Sequence, residues 1–547
     1  MSPLQRVNNE DLLEGFVPYS TDQQNRYEKN KIFENTPLWS ILTDNVKLQE
    51  TNIAIKDDVR SMTFKELLIS ADNIAAQLQQ DGLIQGDRVV LQMLNSCDFV
   101  IYFFALQRAG LVPIMALPAH GITEIRHFVD ISQAKGYICD GKENTLCIAD
   151  ELQHNSSSIT HVYTVTPHAQ YRSLNNIEKT LFSPPKIDPN SPALFLVSGG
   201  TTGLPKLIPR THNDYLFNIK ICAQASHISA EDIYLAVLPA AHNFTLGCPG
   251  ILGVLSLGGK VVFSDNPGPD YCFDLIEKNK ITCTALVPAL AQIWTEATEW
   301  EGADISSLCL LQVGGSKLSY SDAIAIQHTF PNTLQQVFGM AEGLIVCTAV
   351  DDNPDTIATT QGYLISQWDE IRIVDTKGNL VADGEEGELL TRGPTTLRGY
   401  YRAPENNLHS FTHDGFYRSG DKVKMDTNQC ISVTGRIKDV INKAGECIAT
   451  DEIEEYLLSH PKIAQVAVVA VPDKYLGERI GVALICKDEL LTLQDLRHFL
   501  RSKHLAAFKM PDELNIVHSL PKTAVGKIDK KRIPGPDGKP WIGQTFN

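Results

Sequence analysis

The sequence has few basic residues for its length. Its 547 residues include 48 lysines and arginines against 65 aspartates and glutamates, a formal net charge of −17. Proteins that bind nucleic acid neutralise phosphates with a basic surface, and anionic membranes attract the same kind of surface. The charge balance therefore argues against both kinds of partner.

The sequence also lacks long hydrophobic runs and paired cysteines. Its strongest apolar run, residues 99–106, stops at Gln107, well short of the roughly 20 residues that span a bilayer. Residues 1–11 contain no apolar signal-peptide core. The 12 cysteines are scattered, with no C-x-x-C pair and no zinc-like spacing, which favours free thiols in a reducing compartment. We expect a cytoplasmic location.

The chain is too long for one hydrophobic core. Up to about residue 350 it alternates amphipathic helices, such as residues 63–80, with short apolar strands, such as residues 88–93. This alternation predicts parallel sheets covered by helices. A turn-rich stretch, residues 183–192, is interpreted as a connector between subdomains. Over residues 360–435 the sequence pattern changes to short strands with Asp-Gly and Lys-Gly turns, which predicts a small β-rich unit.

The last part of the chain has the pattern of a compact α+β unit. One helix is predicted to be capped at Thr450 and to stop before Pro461. A strand is predicted over residues 466–471. Another helix starts at Thr492, with Asp495 completing a pattern like a capping box.

Residues 196–206 form a loop that is rich in glycine and hydroxyl groups and contains one lysine. The relevant residues are Ser198, Gly199, Gly200, Thr201, Thr202, Gly203 and Lys206. Glycines let backbone N–H groups approach an anion closely, so the composition favours phosphate binding. The spacing differs from a Walker A motif, and we predict a loop between two strands. A plain surface turn is the alternative, although it leaves the lysine unexplained.

Seven segments, in order and spread over nearly the whole chain, resemble the motifs of the adenylate-forming superfamily, which contains acyl-CoA synthetases, luciferases and the adenylation domains of non-ribosomal peptide synthetases. They are residues 196–206, 239–244, 313–316, 336–342, 417–421, 435–439 and 521–527. The resemblance implies an α/β adenylation domain, residues 1–437, made of two α/β subdomains and a small β-rich subdomain. It implies a smaller, mobile α+β domain over residues 438–547.

The reaction implied by the resemblance joins a carboxylate to MgATP and gives acyl-AMP and pyrophosphate. A pantetheine thiol then attacks the acyl-AMP after the C-terminal domain rotates about a hinge at Lys438 or its neighbour Asp439. Such a reaction is accelerated mainly by alignment of the reactants and by neutralisation of the charge on the phosphates.

The same resemblance assigns the nucleotide site. The loop at residues 198–206 is expected to hold the phosphates, and Glu342 to hold Mg²⁺. Asp421 and Arg436 match the residues that bind the ribose. Adenine is expected to lie against Gly314, Gly315, Ser316, Val337, Phe338, Gly339 and Met340. The alternatives are a solvated surface glutamate at 342 and a simple turn aspartate at 421.

Lys527 matches the family lysine that reaches across the domain interface to the reacting carboxylate and the α-phosphate. It would stabilise developing negative charge, a contribution worth roughly 10²–10³ in rate. The alternative is a solvated basic tail formed with Lys530, Lys531 and Arg532.

The segment at residues 239–244 indicates the substrate class. Amino-acid-activating relatives usually carry an aspartate where this chain has Asn243, whereas an asparagine resembles the aryl-acid branch, in which the amide contacts the carboxylate and an ortho hydroxyl. His242 would line the pocket and assist catalysis. The alternative is that His242 is an ordinary buried histidine. A zinc site made by His242 and Cys248 lacks further ligands. The substrate residues implied are Asn243, Phe244, Cys248, Gly314 and Ile345.

Two positions bear on the identity of the acid. Relatives that use 2,3-dihydroxybenzoate tend to have Ser in place of Cys248 and Val in place of Ile345, so this pair is closer to the salicylate type. The overall sequence nevertheless resembles stand-alone 2,3-dihydroxybenzoate–AMP ligases of siderophore synthesis. We therefore expect 2,3-dihydroxybenzoate first and salicylate second.

The sequence ends about 20 residues after Lys527, which leaves no room for an attached carrier domain. A separate aryl carrier protein is the expected thiol acceptor, and coenzyme A remains open, as in an aryl-CoA ligase. A third alternative is a catalytically silent nucleotide-binding protein. The intact set of Lys206, Glu342, Asp421, Arg436 and Lys527 argues against it.

Overall fold

The structure is a computed structural model. The structure describes residues 13–174, 182–198, 205–437, 440–443, 446–473, 476–487, 489–503, 505, 509–523 and 526–541.

The first part of the chain builds a seven-stranded sheet with the strand order β7-β6-β5-β3-β4-β8-β9. All its strand pairs are parallel except the last, β8 with β9. The elements of this part are α1 (Thr21–Lys29), α2 (Ser40–Gln49), β1 (Ile53–Lys56), β2 (Ser61–Thr63), α3 (Phe64–Gln80), β3 (Arg88–Gln92), α4 (Cys97–Ala109), β4 (Val112–Ala116), α5 (Ile122–Ser132), β5 (Gly136–Cys139), α6 (Glu143–Asn155), β6 (His161–Thr164), β7 (Arg172–Ser173), β8 (Pro192–Val197) and β9 (Leu207–Thr211).

The second part builds a nine-stranded sheet with the order β16-β15-β14-β13-β12-β10-β11-β1-β2, so the early strands β1 and β2 complete its far edge. Its elements are α7 (His212–Ala225), β10 (Ile233–Ala236), α8 (Asn243–Gly247), α9 (Gly250–Leu257), β11 (Lys260–Phe263), α10 (Pro269–Asn279), β12 (Cys283–Leu286), α11 (Pro288–Ala297), β13 (Leu310–Gly314), α12 (Tyr320–Thr329), β14 (Leu334–Gly339), β15 (Ile345–Cys347), α13 (Pro354–Thr359) and β16 (Tyr363–Leu364).

Two smaller sheets follow. The first is antiparallel, in the order β17-β18-β19-β20, and the second has the order β22-β21-β24-β23, with β25 paired to β24. Their elements are β17 (Glu370–Val374), β18 (Gly387–Arg392), α14 (Pro404–Ser410), β19 (Tyr417–Met425), β20 (Ile431–Arg436), β21 (Val440–Lys443), β22 (Glu446–Ala449), α15 (Thr450–Leu458), β23 (Ile463–Asp473), β24 (Gly477–Cys486), α16 (Leu493–Ser502), β25 (Glu513–Ile516) and a 3₁₀ turn (Lys530–Arg532).

The predicted fold class is confirmed: two α/β units, a β-rich unit and an α+β unit follow one another. Local signals account for much of this. Thr63 caps α3 through a capping box with Glu66, and the apolar positions Leu67, Ala71 and Ile74 face the core. Thr492 and Asp495 form the predicted box on α16.

Two details of the sequence interpretation are wrong. The stretch 183–192 does not lead to a new subdomain, because β8 returns to pair with β4 in the same sheet. Turn residues indicate that the chain reverses but not which strand it will pair with. The cap of α15 is Ala449, and Thr450 is the first helical residue. In the described part of the chain, no helix is long and apolar enough to cross a membrane.

A buried carboxyl group lies where the chain enters the third sheet. Asp369, just before β17, is 6% exposed; its Oδ1 accepts a 3.3 Å hydrogen bond from the Thr395 hydroxyl. Its Oδ2 has no hydrogen-bond partner within the described residues. Burial raises the pKa of Asp369 to about 7, against smaller opposing effects of Thr395 and Arg210. The group is therefore held largely protonated below that pH.

This carboxyl predicts a pH-dependent stability. Because the unfolded pKa is about 3.9, the folded state binds the proton more tightly, and stability falls as the pH rises from about 4 to about 7. Asp369→Asn carries no such proton, so its unfolding free energy should change less over this range, by roughly 4 kcal/mol at most. Urea unfolding at several pH values measures the difference. The exposed Asp383→Asn should follow the wild type; identical slopes for all three proteins would contradict the prediction.

Candidate active site

The site begins where two parallel strands of the second sheet end. Gly314 at the end of β13 is in register with Val337 on β14, and parallel strands bring their carboxyl ends to one edge, where ligands of α/β proteins bind. A Cβ on Gly314 would lie 2.5 Å from the Val337 carbonyl oxygen and 3.1 Å from the Phe244 ring. Only glycine lets the backbone lie flat here, as adenine stacking would require.

The predicted phosphate loop is confirmed as a connection between two strands. Strands β8 and β9 pair antiparallel. At the base of the loop, the Ser198 N–H donates to the Lys206 carbonyl and the Lys206 N–H donates to the Ser198 hydroxyl, each at 2.9 Å. The Lys206 ammonium lies 4.8 Å from the centroid of the Tyr400 ring. Gly199, Gly200, Thr201, Thr202 and Gly203 lie outside the described residues.

Glu342 is positioned by tyrosines that the sequence analysis did not single out. The Tyr400 hydroxyl donates to Glu342 Oε1 at 2.7 Å and lies 2.9 Å from the Tyr417 hydroxyl. Burial, and then the charge of Glu342, raises the pKa of Tyr400 far above its usual value. Tyr400 therefore stays protonated and acts as the donor.

The carboxylate of Glu342 suits a magnesium ion. Within the described residues only Tyr400 donates to it, which leaves Oε2 for a hard cation that takes oxygen ligands. Magnesium is usually held by one or two carboxylates together with substrate phosphates and water. The residues present therefore fit Mg²⁺ bound mainly by ATP.

A fully buried ion pair lies behind this site. Arg210 on β9 and Asp214 on α7 are 0% and 3% exposed at their side chains and are joined at 2.7 Å. The Arg210 guanidinium also donates to the Ala341 carbonyl at 3.2 Å and lies 4.8 Å from the centroid of the Tyr215 ring. Arg210 thus connects the residue before Glu342 with the helix that borders the acid pocket.

Asp421 and Arg436 face each other across two antiparallel strands. They are a register pair of β19 and β20, and Arg436 Nε lies 2.9 Å from Asp421 Oδ1. Burial raises the pKa of Asp421, while Arg436 and Lys527 oppose that rise. The alternative of a simple turn residue is wrong, since Asp421 lies within a strand.

Lys527 comes from the last unit of the chain and enters the same cleft. Its Cε lies 3.9 Å from the place that a Cβ on Gly315 would take. Desolvation, and then the charge of Arg436, lowers the pKa of Lys527; the carboxylates of Asp421 and Glu342 oppose this. Lys527 therefore stands apart from the basic cluster at residues 530–532, where Lys530 pairs instead with Asp451 and Glu454.

The acid pocket begins at α8. Burial, followed by the charge of Lys527, lowers the pKa of His242 to about 4, so the imidazole is neutral near neutral pH. Its Nδ1 accepts from the Phe244 N–H at 3.3 Å, which leaves the proton on Nε2. The Asn243 amide accepts from the Tyr215 hydroxyl at 2.8 Å, and its nitrogen lies 3.5 Å from the Cys248 sulfur.

A small cavity adjoins Cys248. It is lined by Cys222, Ala225, Ser226, Cys248, Gln312, Val337, Ile345, Cys347 and Ile365. Its polar members are already satisfied: the Gln312 side-chain amide donates to the Ser226 hydroxyl at 3.2 Å and to the side-chain Oε1 of Gln335 at 2.9 Å. The lining of the cavity therefore consists mainly of thiols and aliphatic groups.

The structure brings several of the predicted site residues together. Residues from all four parts of the chain border one cleft: Lys206, Gly314, Gly315, Val337, Glu342, Asp421, Arg436 and Lys527. Ser316, Phe338, Gly339 and Met340 lie at or just beyond the ends of β13 and β14. The hinge residues Lys438 and Asp439 fall outside the described residues. Among the described residues, no cluster of three possible ligands supports a metal site such as zinc at His242 and Cys248.

The fold and the cleft together define an adenylate-forming enzyme. Comparison with known families agrees: residues 42–401 match the AMP-binding enzyme family, and residues 452–527 match the AMP-binding enzyme C-terminal domain. The chain therefore belongs to the AMP-binding enzyme family, whose members use ATP with Mg²⁺.

Three similar proteins cover almost the whole chain. A salicyl-AMP ligase / salicyl-S-ArCP synthetase of Mycobacterium tuberculosis is 44% identical, over 95% of this chain and 94% of its own length. A 2,3-dihydroxybenzoate-AMP ligase of Bacillus subtilis is 41% identical, over 95% of this chain and 97% of its own length. The apo structure of MbtA from Mycobacterium smegmatis is 42% identical with a TM-score of 0.75, and the match covers 94% of this chain and 98% of that one.

Lys527→Ala should lower the rate of acyl-adenylate formation by roughly 10²–10³, because an aligned positive charge is lost where negative charge develops. ATP–pyrophosphate exchange measures this step. Lys522→Ala is the matched control, since Lys522 is a lysine five residues earlier on the same segment and should retain wild-type exchange. Equal losses in the two variants would contradict the assignment.

Proposed function

We propose that the protein activates an ortho-hydroxylated aryl acid with MgATP, forms aryl-AMP and pyrophosphate, and transfers the aryl group to the thiol of a separate carrier protein. The observation that carries the proposal is the position of Lys527, whose Cε lies 3.9 Å from the place that a Cβ on Gly315 would take, just after β13. Its charge contributes to the lowered pKa of His242, and the carboxylates of Asp421 and Glu342 act on its own pKa. A carboxylate bound there would meet the α-phosphate beside a positive charge.

Each residue then has a limited task. The substrate carboxylate is itself the nucleophile, so no side-chain base is needed. Lys206 binds phosphate oxygens, and Asp421 with Arg436 holds the ribose. Glu342 would hold Mg²⁺, which supplies charge neutralisation at the phosphates. Neutral His242 keeps a second cation out of the acid pocket and presents its Nε2 proton as a hydrogen-bond donor.

The acid is proposed to be 2,3-dihydroxybenzoate, with salicylate as the second candidate. Proteins that act on each are about equally similar to this chain. The contact between Asn243 and the Cys248 sulfur favours salicylate, because a thiol is a poorer partner than serine for a 3-hydroxyl. Relatives named for enterobactin and vibriobactin synthesis support a place in siderophore assembly.

The transfer step rests on a two-domain arrangement, with an adenylation domain over residues 1–437, a C-terminal domain over residues 438–547 and a hinge at Lys438. Lys317, just after the adenine segment, pairs with Glu455 of α15 at 2.9 Å. This exposed contact between the two parts is worth at most about 1 kcal/mol, which suits an orientation that must be released. The name of the mycobacterial relative includes an aryl carrier product, which supports a carrier as acceptor.

The proposed location is the cytoplasm, where ATP is supplied. The 11 cysteines whose side chains the structure describes are all free, in keeping with a reducing compartment.

ATP–pyrophosphate exchange with 2,3-dihydroxybenzoate, salicylate, benzoate and a set of amino acids tests the proposal. Exchange should require an aryl acid with an ortho hydroxyl. Faster exchange with an amino acid than with any aryl acid, or no exchange with any of the acids, would overturn the proposed function.

Cys248→Ser combined with Ile345→Val should raise the preference for 2,3-dihydroxybenzoate over salicylate about fivefold, the effect of one added hydrogen bond of ~1 kcal/mol. Serine offers a better partner to the 3-hydroxyl, and valine makes room for it. The ratio of kcat/KM for the two acids measures the change. The matched control is Cys309→Ser, an exposed thiol; an unchanged ratio in the double variant would contradict this account of specificity.

The acceptor can be tested separately. We expect the phosphopantetheinylated aryl carrier protein to accept the aryl group with a kcat/KM at least about tenfold above that of coenzyme A, because a docked protein adds contacts that free pantetheine lacks. Single-turnover transfer from preformed aryl-AMP measures both. Equal or faster transfer to coenzyme A would indicate an aryl-CoA ligase.

A further inference from the structure

The Asn243 amide has a defined orientation in the acid pocket. Its Oδ1 accepts a 2.8 Å hydrogen bond from the Tyr215 hydroxyl, and its Nδ2 lies on the side of Cys248, 3.5 Å from the sulfur. An amide nitrogen carries two protons, so one N–H remains to donate to a ligand after the sulfur contact. The hydrogen bond from Tyr215 is therefore what turns the NH₂ group toward the pocket.

The Tyr215 hydroxyl remains protonated and therefore acts as a hydrogen-bond donor. Its side chain is fully buried, and burial raises the pKa of Tyr215 well above its usual value, so the hydroxyl keeps its proton. The Arg210 guanidinium lies over the ring at 4.8 Å. A Cβ on Gly247 would come within 2.6 Å of the hydroxyl oxygen, so the missing side chain at Gly247 provides the space that the hydroxyl occupies.

Reversing the amide would break this arrangement. The Asn243 NH₂ would then face the Tyr215 hydroxyl, and the hydroxyl proton would lose its acceptor at a buried position, which is costly. The carbonyl oxygen would meet a thiol, a weak donor. The observed orientation is thus favoured at both ends of the amide.

We propose that Tyr215 is a positioning residue that holds the Asn243 amide with its NH₂ toward the substrate, and so makes the site select an ortho hydroxyl over an ortho amino group. The inference rests on the proposed aryl-acid activation and deepens it. An ortho hydroxyl or phenolate oxygen accepts the amide N–H. The ortho amino group of anthranilate donates two protons and accepts poorly, because its lone pair is delocalised into the ring. The amino group and the Asn243 NH₂ group are then both donors, and no hydrogen bond forms between them.

The test compares kcat/KM for salicylate and anthranilate in ATP–pyrophosphate exchange. In Tyr215→Phe the amide is free to turn and present its oxygen, so the salicylate-to-anthranilate ratio should fall at least about tenfold. Tyr234→Phe is the matched control: Tyr234 is equally buried on β10, and its hydroxyl has no partner within the described residues. The control should keep the wild-type ratio.

A second variant guards against poor folding of the first. Asn243→Asp places an acceptor-only group at the same point, and the ratio should then favour anthranilate. A ratio unchanged in Tyr215→Phe, with both acids reduced equally, would overturn the positioning role, as would an equal change in Tyr234→Phe. Failure of the wild type to activate any aryl acid would instead refute the proposed function.

Discussion

One buried ion pair organises both halves of the site. Arg210 and Asp214 lie on a strand and on the helix that follows it, with no exposure of the arginine side chain. Asp214 also closes the capping box with Thr211 at the start of α7. Arg210 in turn contacts the backbone beside Glu342 and the ring of Tyr215. Since an unpaired buried charge costs several kcal/mol, this pair fixes the position of Glu342, the proposed magnesium ligand, relative to the proposed acid pocket.

The cleft shows how an acidic protein can bind ATP. Lys206, Arg436 and Lys527 come from three distant parts of the chain, and two carboxylates, Asp421 and Glu342, lie among them. The net charge of −17 therefore says little about the site. Local placement of a few cations, partly desolvated and held near anions, gives phosphates a favourable position without a basic surface.

The fold class is predictable from the sequence because it depends on local patterns, and the proposed charged residues of the site fall in recognisable motifs. Capping boxes and apolar periodicity locate α3 and α16, the glycine-rich loop is found by its composition, and Lys527 is recognised by resemblance. Tyr400, Tyr215 and Arg210 were missed, since an aromatic or basic residue in a strand or helix gives no sign of what it will contact. The Arg-x-x-x-Asp spacing of residues 210–214 was the one available signal. The pairing of β8 with β4 was missed because turn residues show that the chain reverses but not which strand it will pair with.

The central claim is that the carboxylate of an aryl acid attacks the α-phosphorus of ATP. Turnover of an aryl acid labelled with ¹⁸O in its carboxylate, with hydroxylamine trapping the product, tests it without a carrier protein. The account predicts that the bridging oxygen remains on phosphorus, so mass spectrometry should find one ¹⁸O in AMP and an aryl hydroxamate. Label in inorganic phosphate, or AMP without label, would contradict it.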